Sequence, residues 1–365
     1  MPITVDSLHI YPVKSCRGID LQSAAVSKCF ELDRYWMITK PSGEMYTQRT
    51  HPQLALIETA LQLTGSASTA PTQIPIDAYT HGGRLILRAP GMPDTTVVFP
   101  QTQPGKPVLA QLHGKKKVDA LDEGDEIAAW LTMYLGFETR LVVKDMGKVR
   151  PLNPLHVPAR RYFDHEPQTA MADGYPFLLL STASISDLNK RLAERNAPSV
   201  SLRNFRPNIV VSSTDHGPYF EDTLFQISIA GHDLFIASRC TRCTLPNNDP
   251  NTGIAHKKEP LATMMSYRRV DPGASFSACL GMNTVNVDQG WSMERGDTVL
   301  VKREGDFHDR KGVWRGQAEP HPVIKSAELP VHDVASLMGN VYAYVAVTAV
   351  AVVAVSVVTR WVMAN

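Results

Sequence analysis

Residues 224–237 read LFQISIAGHDLFIA, two runs of β-branched, aliphatic and aromatic side chains at 224–230 and 232–237. Runs of that length and composition favour strands. Residues 208–212, 298–302 and 177–180 have the same character. The last of these leads into a helix opened by Ser181 or Thr182, which carries Ile185, Leu188 and Leu192 on one face. Residues 146–304 therefore form a β-dominated, barrel-like domain on this reading. Upstream, Pro151, Pro154, Pro158 and Pro167 make an irregular connection. Before it stands the clearest helix, Asp125 to Leu135, with acids in its first turn, Ile127, Trp130, Leu131, Tyr134 and Leu135 on one face, and Gly136 as its stop. Strand-favouring runs at 4–11, 24–29 and 35–39, and a Pro41-Ser42-Gly43 turn leading into a run at 45–49, give residues 1–145 a compact sheet. The expected class is β-rich α+β in two domains.

Composition narrows the function classes. The chain has 365 residues, 43% of them hydrophobic, with 37 Lys and Arg against 36 Asp and Glu. A near-neutral chain is not one that coats nucleic acid, so any basic site must be local. The five cysteines, Cys16, Cys29, Cys240, Cys243 and Cys279, are too few and odd in number for a disulfide framework and suit a reducing compartment. The first residues show neither a secretory signal nor a transit peptide.

The other end carries an apolar segment. No charge interrupts residues 334–359, and 341–358 reads VYAYVAVTAVAVVAVSVV. Eighteen helical residues reach about 27 Å, close to the hydrocarbon thickness of a bilayer. Tyr342, Tyr344 and Trp361 flank it, and Arg360 is placed to snorkel. The expectation is a C-terminal transmembrane helix at 339–360, joined through a Pro-containing linker at 305–338, with the head on the cytosolic side. A buried C-terminal helix is the competing reading. The short span favours the mitochondrial outer membrane over the endoplasmic reticulum.

The nucleotide-binding and hydrolytic signatures are absent: no G-x-x-x-x-G-K-[ST], G-x-G-x-x-G, G-x-S-x-G or H-E-x-x-H. Cys240-Thr241-Arg242-Cys243 is a C-x-x-C pair with no second pair to close a zinc site. Three readings stand: two small residues at a strand end, a redox dithiol, or a metal thiolate. Arg239 and Arg242 favour the thiolate, since nearby cations stabilise it.

Four blocks then bear on family. Tyr11-Pro12-Val13-Lys14-Ser15-Cys16, Asp33-Arg34-Tyr35-Trp36, Asn204-Phe205-Arg206-Pro207-Asn208-Ile209-Val210, and Arg242-Cys243-Thr244 with Asp249-Pro250 and Thr252-Gly253 together resemble the MOSC family. Within it the chain is most similar to the amidoxime-reducing components. The resemblance implies a MOSC N-terminal domain, a MOSC β-barrel domain and a pterin-bound molybdenum cofactor between them, with Cys243 as catalytic metal ligand and Cys240 only its neighbour. It places Lys14, Ser15, Arg34, Gly174, Tyr175, Arg206, Asn208, Thr241 and Arg242 around the cofactor and its anionic tail. Gly174 and Tyr175 replace Thr-Ser in the family pattern, and Thr241 replaces Ser, so the resemblance carries over the positions 174 and 175 without the family's side chains there.

The implied activity is reduction of N-hydroxylated substrates such as amidoximes, of other N-oxygenated compounds, and of nitrite as a further candidate, by oxygen-atom transfer. The chain has no haem, Rossmann or iron–sulfur motif, so electrons must come from outside. The resemblance names cytochrome b5 and NADH-cytochrome b5 reductase. The alternative is a cofactor carrier or sulfurase-like MOSC protein without reductase activity. A membrane-bound dithiol oxidoreductase using Cys240 and Cys243 is a further rival.

Overall fold

The computed structural model describes residues 2–305 apart from 155, 156 and 159. The proposed linker and the membrane span at 339–360 lie outside the described residues. Among the described residues no helix is long and apolar enough to cross a membrane.

The second half is built on a closed barrel. Its strands are β1 (Ile3–Ile10), β2 (Ile19–Leu21), β3 (Phe177–Ser181), β4 (Ile209–Ser212), β5 (Leu224–Ile229), β6 (His232–Thr241), β7 (Cys279–Asn286) and β8 (Thr298–Glu304). The order runs β4-β3-β7-β6-β5-β8-β1, and a β1–β4 pairing closes the ring, with β2 attached to β1. Closure removes the exposed sheet edges that would otherwise template association. The chain's first strand thus completes the barrel of its second half, with Ile3 opposite Val299 and Leu8 opposite Ile209. β3 and β4 are parallel, joined by the helix Thr182–Glu194, whose buried Ile185, Leu188 and Leu192 cover them. Ser181 caps that helix by accepting from the Ser184 N–H.

The first half carries a five-stranded sheet ordered 107–111, 117–122, 140–144, 36–39 and 13–14 and a three-stranded sheet of 58–63, 83–88 and 95–99, while a second three-stranded sheet pairs 23–26 and 73–74 with 291–294 from the second half. The helix Asp125–Leu135 is where the sequence puts it; the Gly136 N–H closes the last turn on Thr132 O at a φ of 80°, which glycine adopts without strain. One core spans both halves. Phe30 meets Phe177 edge to face at 4.9 Å, a contact worth about 1 kcal/mol beyond the area it buries.

Two expectations changed. Residues 45–49 do not form a strand: Met45 makes one bridge to Thr39, and the chain then turns as Thr47 O accepts from the Thr50 hydroxyl and the His51 N–H. The strand expected at 232–237 runs on to Thr241, pairing with β7, itself not expected from the sequence.

Candidate functional site

The continuation of β6 builds the site. Register shifts after Ile236 and after Arg239 twist its end and interrupt the regular alternation of side chains across it. Arg239 turns inward, where Asp222 receives its Nε at 3.5 Å and Arg268 at 2.6 Å. It is thus engaged with Asp222, whereas Arg242 reaches the cysteine pair, at Cys240. Cys240 and Thr241 face a cleft, the Arg242 N–H holds Ala278 O, and Cys243 stands exposed at the cleft rim. The Arg242 guanidinium donates to Cys240 Sγ (3.0 Å) and to Phe205 O (2.9 Å) and lies over the Phe205 ring.

Opposite stands the turn after the short helix Leu202–Phe205. Asn204 fixes it, donating to Pro246 O and Asn248 O in the loop beyond Cys243. Arg206 follows at φ 58° with its N–H on Leu202 O, and its Nη1 reaches Cys16 O at 2.5 Å. The Tyr11 ring is sandwiched between the Arg206 and Arg34 guanidiniums, 4.1 and 4.5 Å from its centroid, while its hydroxyl donates to Pro207 O. Arg34 pairs with buried Asp33 at 2.5 Å and donates to Asn208 Oδ1 at 3.0 Å. Ser15, Arg34 and Arg206 all hold left-handed backbones, at φ 70°, 53° and 58°. Strain of about 1–3 kcal/mol per such residue persists only where surroundings over-determine the conformation. Here it aims three side chains at one cavity.

The third wall is residues 170–175. Lys14 Nζ donates to Met171 O (2.9 Å) and Asp173 Oδ1 (2.6 Å), and Arg49 reaches Asp173 Oδ2 at 3.1 Å. Burial pushes the Lys14 ammonium down, with Asp173 opposing. Burial would raise the Asp173 carboxyl, but Lys14 and Arg49 overcome it and hold it well below the usual carboxylate range. Burial, with Arg34 close by, brings Arg206 down to about 10, so it stays charged at neutral pH. Burial pushes the Cys16 thiol up to about 12, which makes it an inert core residue.

All ten residues singled out from the sequence, Lys14, Ser15, Arg34, Gly174, Tyr175, Arg206, Asn208, Thr241, Arg242 and Cys243, line this one cavity of ≈ 180 Å³. Tyr175 accepts from the Ser238 hydroxyl at 3.4 Å. Gly174 has nothing within 4 Å of a built Cβ, so space does not demand glycine there. Sequence reasoning missed Arg49, Asp173 and Asn283. Arg49 and Asp173 lie outside the recognisable blocks, and Asn283 arrives on the unexpected β7.

The chemistry of this donor set is that of an anion site with one soft ligand. Lys14, Arg34, Arg49, Arg206 and Arg242 outnumber Asp173, the one carboxylate among the described residues that line the cavity. Among the described residues no group of three or more His, Cys, Asp or Glu is placed to hold a metal by itself. Cys243 is thus a soft sulfur donor beside a cluster of cations, and that combination fits a metal that brings its remaining ligands on a phosphate-bearing cofactor.

Comparisons with known proteins agree with this geometry. Residues 2–138 match the MOSC N-terminal beta barrel domain family and residues 166–300 the MOSC domain family. Mitochondrial amidoxime-reducing component 1 of Mus musculus is 35% identical over 311 residues, covering 82% of this chain and 80% of that protein. Its counterpart in Homo sapiens is 34% identical, covering 74% and 73% respectively. Mitochondrial amidoxime reducing component 2 of Rattus norvegicus is 34% identical, covering 81% and 82%.

Proposed function

Since the chain belongs to the MOSC family, with both of its domains and 35% identity to an amidoxime-reducing component, we propose that it is a molybdenum-cofactor-dependent reductase of N-hydroxylated substrates. The observation that carries this reading is the convergence of Cys243 and the cationic cradle on one cleft. When bound, the cofactor supplies two-electron oxygen-atom chemistry at the metal. Cys243 acts as catalytic metal ligand from the protein. Arg34, Arg206 and Arg242 hold the anionic tail with planar, fixed donors, Lys14 adds a point charge, and Ser15, Asn208 and Thr241 supply polar donors at the wall. Gly174 and Tyr175 line the cofactor's edge, through backbone contacts where the family pattern has side chains. Asp173, gripped between Lys14 and Arg49, sets the position of both cations.

The domain division in this reading is 1–145 and 146–304, with the first strand lent to the second domain, then a linker at 305–338 and a single-pass anchor at 339–360. The mitochondrial names of the relatives and the cytosol-facing head favour the mitochondrial outer membrane. Electrons come from cytochrome b5 and NADH-cytochrome b5 reductase, and co-anchoring raises their effective concentration.

The test is molybdenum content of the cofactor-loaded protein together with benzamidoxime turnover by NADH, cytochrome b5 and its reductase. Near-stoichiometric metal with turnover is the expected result. Metal without turnover, with a chemical reductant also failing, leaves a cofactor carrier. Protein that takes up no molybdenum overturns the reading.

A further inference from the structure

A second cavity, of ≈ 480 Å³, lies against the outer side of the 170–174 wall and shares Gly174 with the cleft. Its lining holds Lys116, Lys117, Lys144, Lys148 and Arg150 against one carboxylate, Asp119. In a chain of formal charge +1 this is a regional concentration of charge. Val149, 59% exposed, with exposed Pro151 and Pro154, adds an apolar strip over the buried Leu152.

The cations divide into two kinds. Lys144 is buried, its Nζ donating to Asp145 O and Lys148 O, and Arg150 donates to Ala170 O and Ala172 O. Lys116 reaches Asp173 O at 3.3 Å. Their donors are directed to backbone, so they contribute field more than grip. Lys117 and Lys148 are exposed at the rim. A small anion needs converging donors, whereas an apolar strip within a diffuse cationic rim is the pattern of a protein interface that steers an oppositely charged partner.

The position of this groove gives the partner a task. Arg150 holds the carbonyls of Ala170 and Ala172, and the carbonyl between them, at Met171, holds Lys14 in the cleft. One backbone segment therefore separates the groove from the site. We propose that the groove is the docking surface for an acidic protein electron donor. This rests on the reductase reading. Docking there brings the donor's redox group next to the cofactor cleft without entering the rim at Cys243, which stays open to substrate.

The test uses the cofactor-loaded full chain with cytochrome b5, an acidic haem protein, as probe. The Kd is titrated at low and at physiological ionic strength, and turnover is compared between this donor and a chemical reductant. In the double variant Lys117→Glu/Lys148→Glu, Kd and donor KM rise about 10-fold or more at low salt, and the salt dependence flattens. Molybdenum content and the rate with chemical reductant stay at wild-type values. Lys190→Glu, on the exposed face of the helix Thr182–Glu194, leaves the donor Kd within about twofold. Wild-type donor binding by the double variant overturns the proposal, even if the groove takes up inorganic phosphate. So does equal weakening by Lys190→Glu. Should the reductase reading itself fail, turnover is lost with both reductants while the titration still decides whether the groove docks the donor.

Discussion

Cys240 and Cys243 are indistinguishable in a C-x-x-C pattern, but the fold gives them different work. Cys240 accepts from Arg242 and so positions a cradle cation, whereas Cys243 stands exposed at the rim. Cys243→Ser should lower benzamidoxime turnover more than about 100-fold, because a hydroxyl is a harder and less acidic ligand, while Cys240→Ser costs about 10-fold or less. Equal losses in assays of the two variants would instead indicate a dithiol. Arg206 joins backbone strain to charge. Arg206→Ala and Arg206→Gly should both purify with reduced molybdenum, but the glycine variant should be about 1 kcal/mol more stable in denaturant titration, since it relieves the φ of 58°. Asp173 supplies the pH dependence. Its folded pKa lies below its unfolded value, so its contribution is complete above the ordinary carboxylate pKa near ~4 and is lost as pH falls through its own lower value. Melting curves of wild type and Asp173→Asn should differ at pH 7 and converge only in the strongly acid range. Arg49 and Asp173 had no signature of their own, since an ion pair formed across more than a hundred residues leaves no local pattern.

Elements were legible where one face is continuously buried. The helices Asp125–Leu135 and Thr182–Glu194 could be read from their apolar spacing because they cover sheets on one side only. The end of β6 was not, since Ser238, Arg239, Cys240 and Thr241 break the apolar run and the register shifts break alternation. β7 was missed for a similar reason: Gly281, Asn283 and Asn286 interrupt it, and the burial that makes it a strand comes from distant neighbours. Gly281 also yields a prediction. At φ 77° a Cβ would sit 2.9 Å from Leu179 O on the paired strand. Gly281→Ala should therefore destabilise the barrel by about 1–3 kcal/mol in denaturant unfolding. Its effect on activity should follow from lost fold, with molybdenum bound per folded molecule unchanged.

At the scale of the molecule, the barrel strands and the cleft-lining side chains among the described residues all lie between Ile3 and Glu304. A chain stopped near Pro330 should be soluble and active with a chemical reductant, yet slower with membrane-bound cytochrome b5. Carbonate extraction checks the anchor: release of the full-length protein into the carbonate supernatant would remove the membrane span at 339–360 from the reading. Two-domain organisation was visible in the four blocks and the proline-rich connection, but the loan of the first strand to the second domain was not, because strand pairing across the whole chain has no short-range signature. That loan matters for synthesis. The barrel's first strand leaves the ribosome roughly three hundred residues before its last partner, β8, and the ring cannot close until both are present. Until then β1 is a nascent sheet edge without its seam, and the interval between its appearance and barrel closure is the period in which a chaperone would have something to shield.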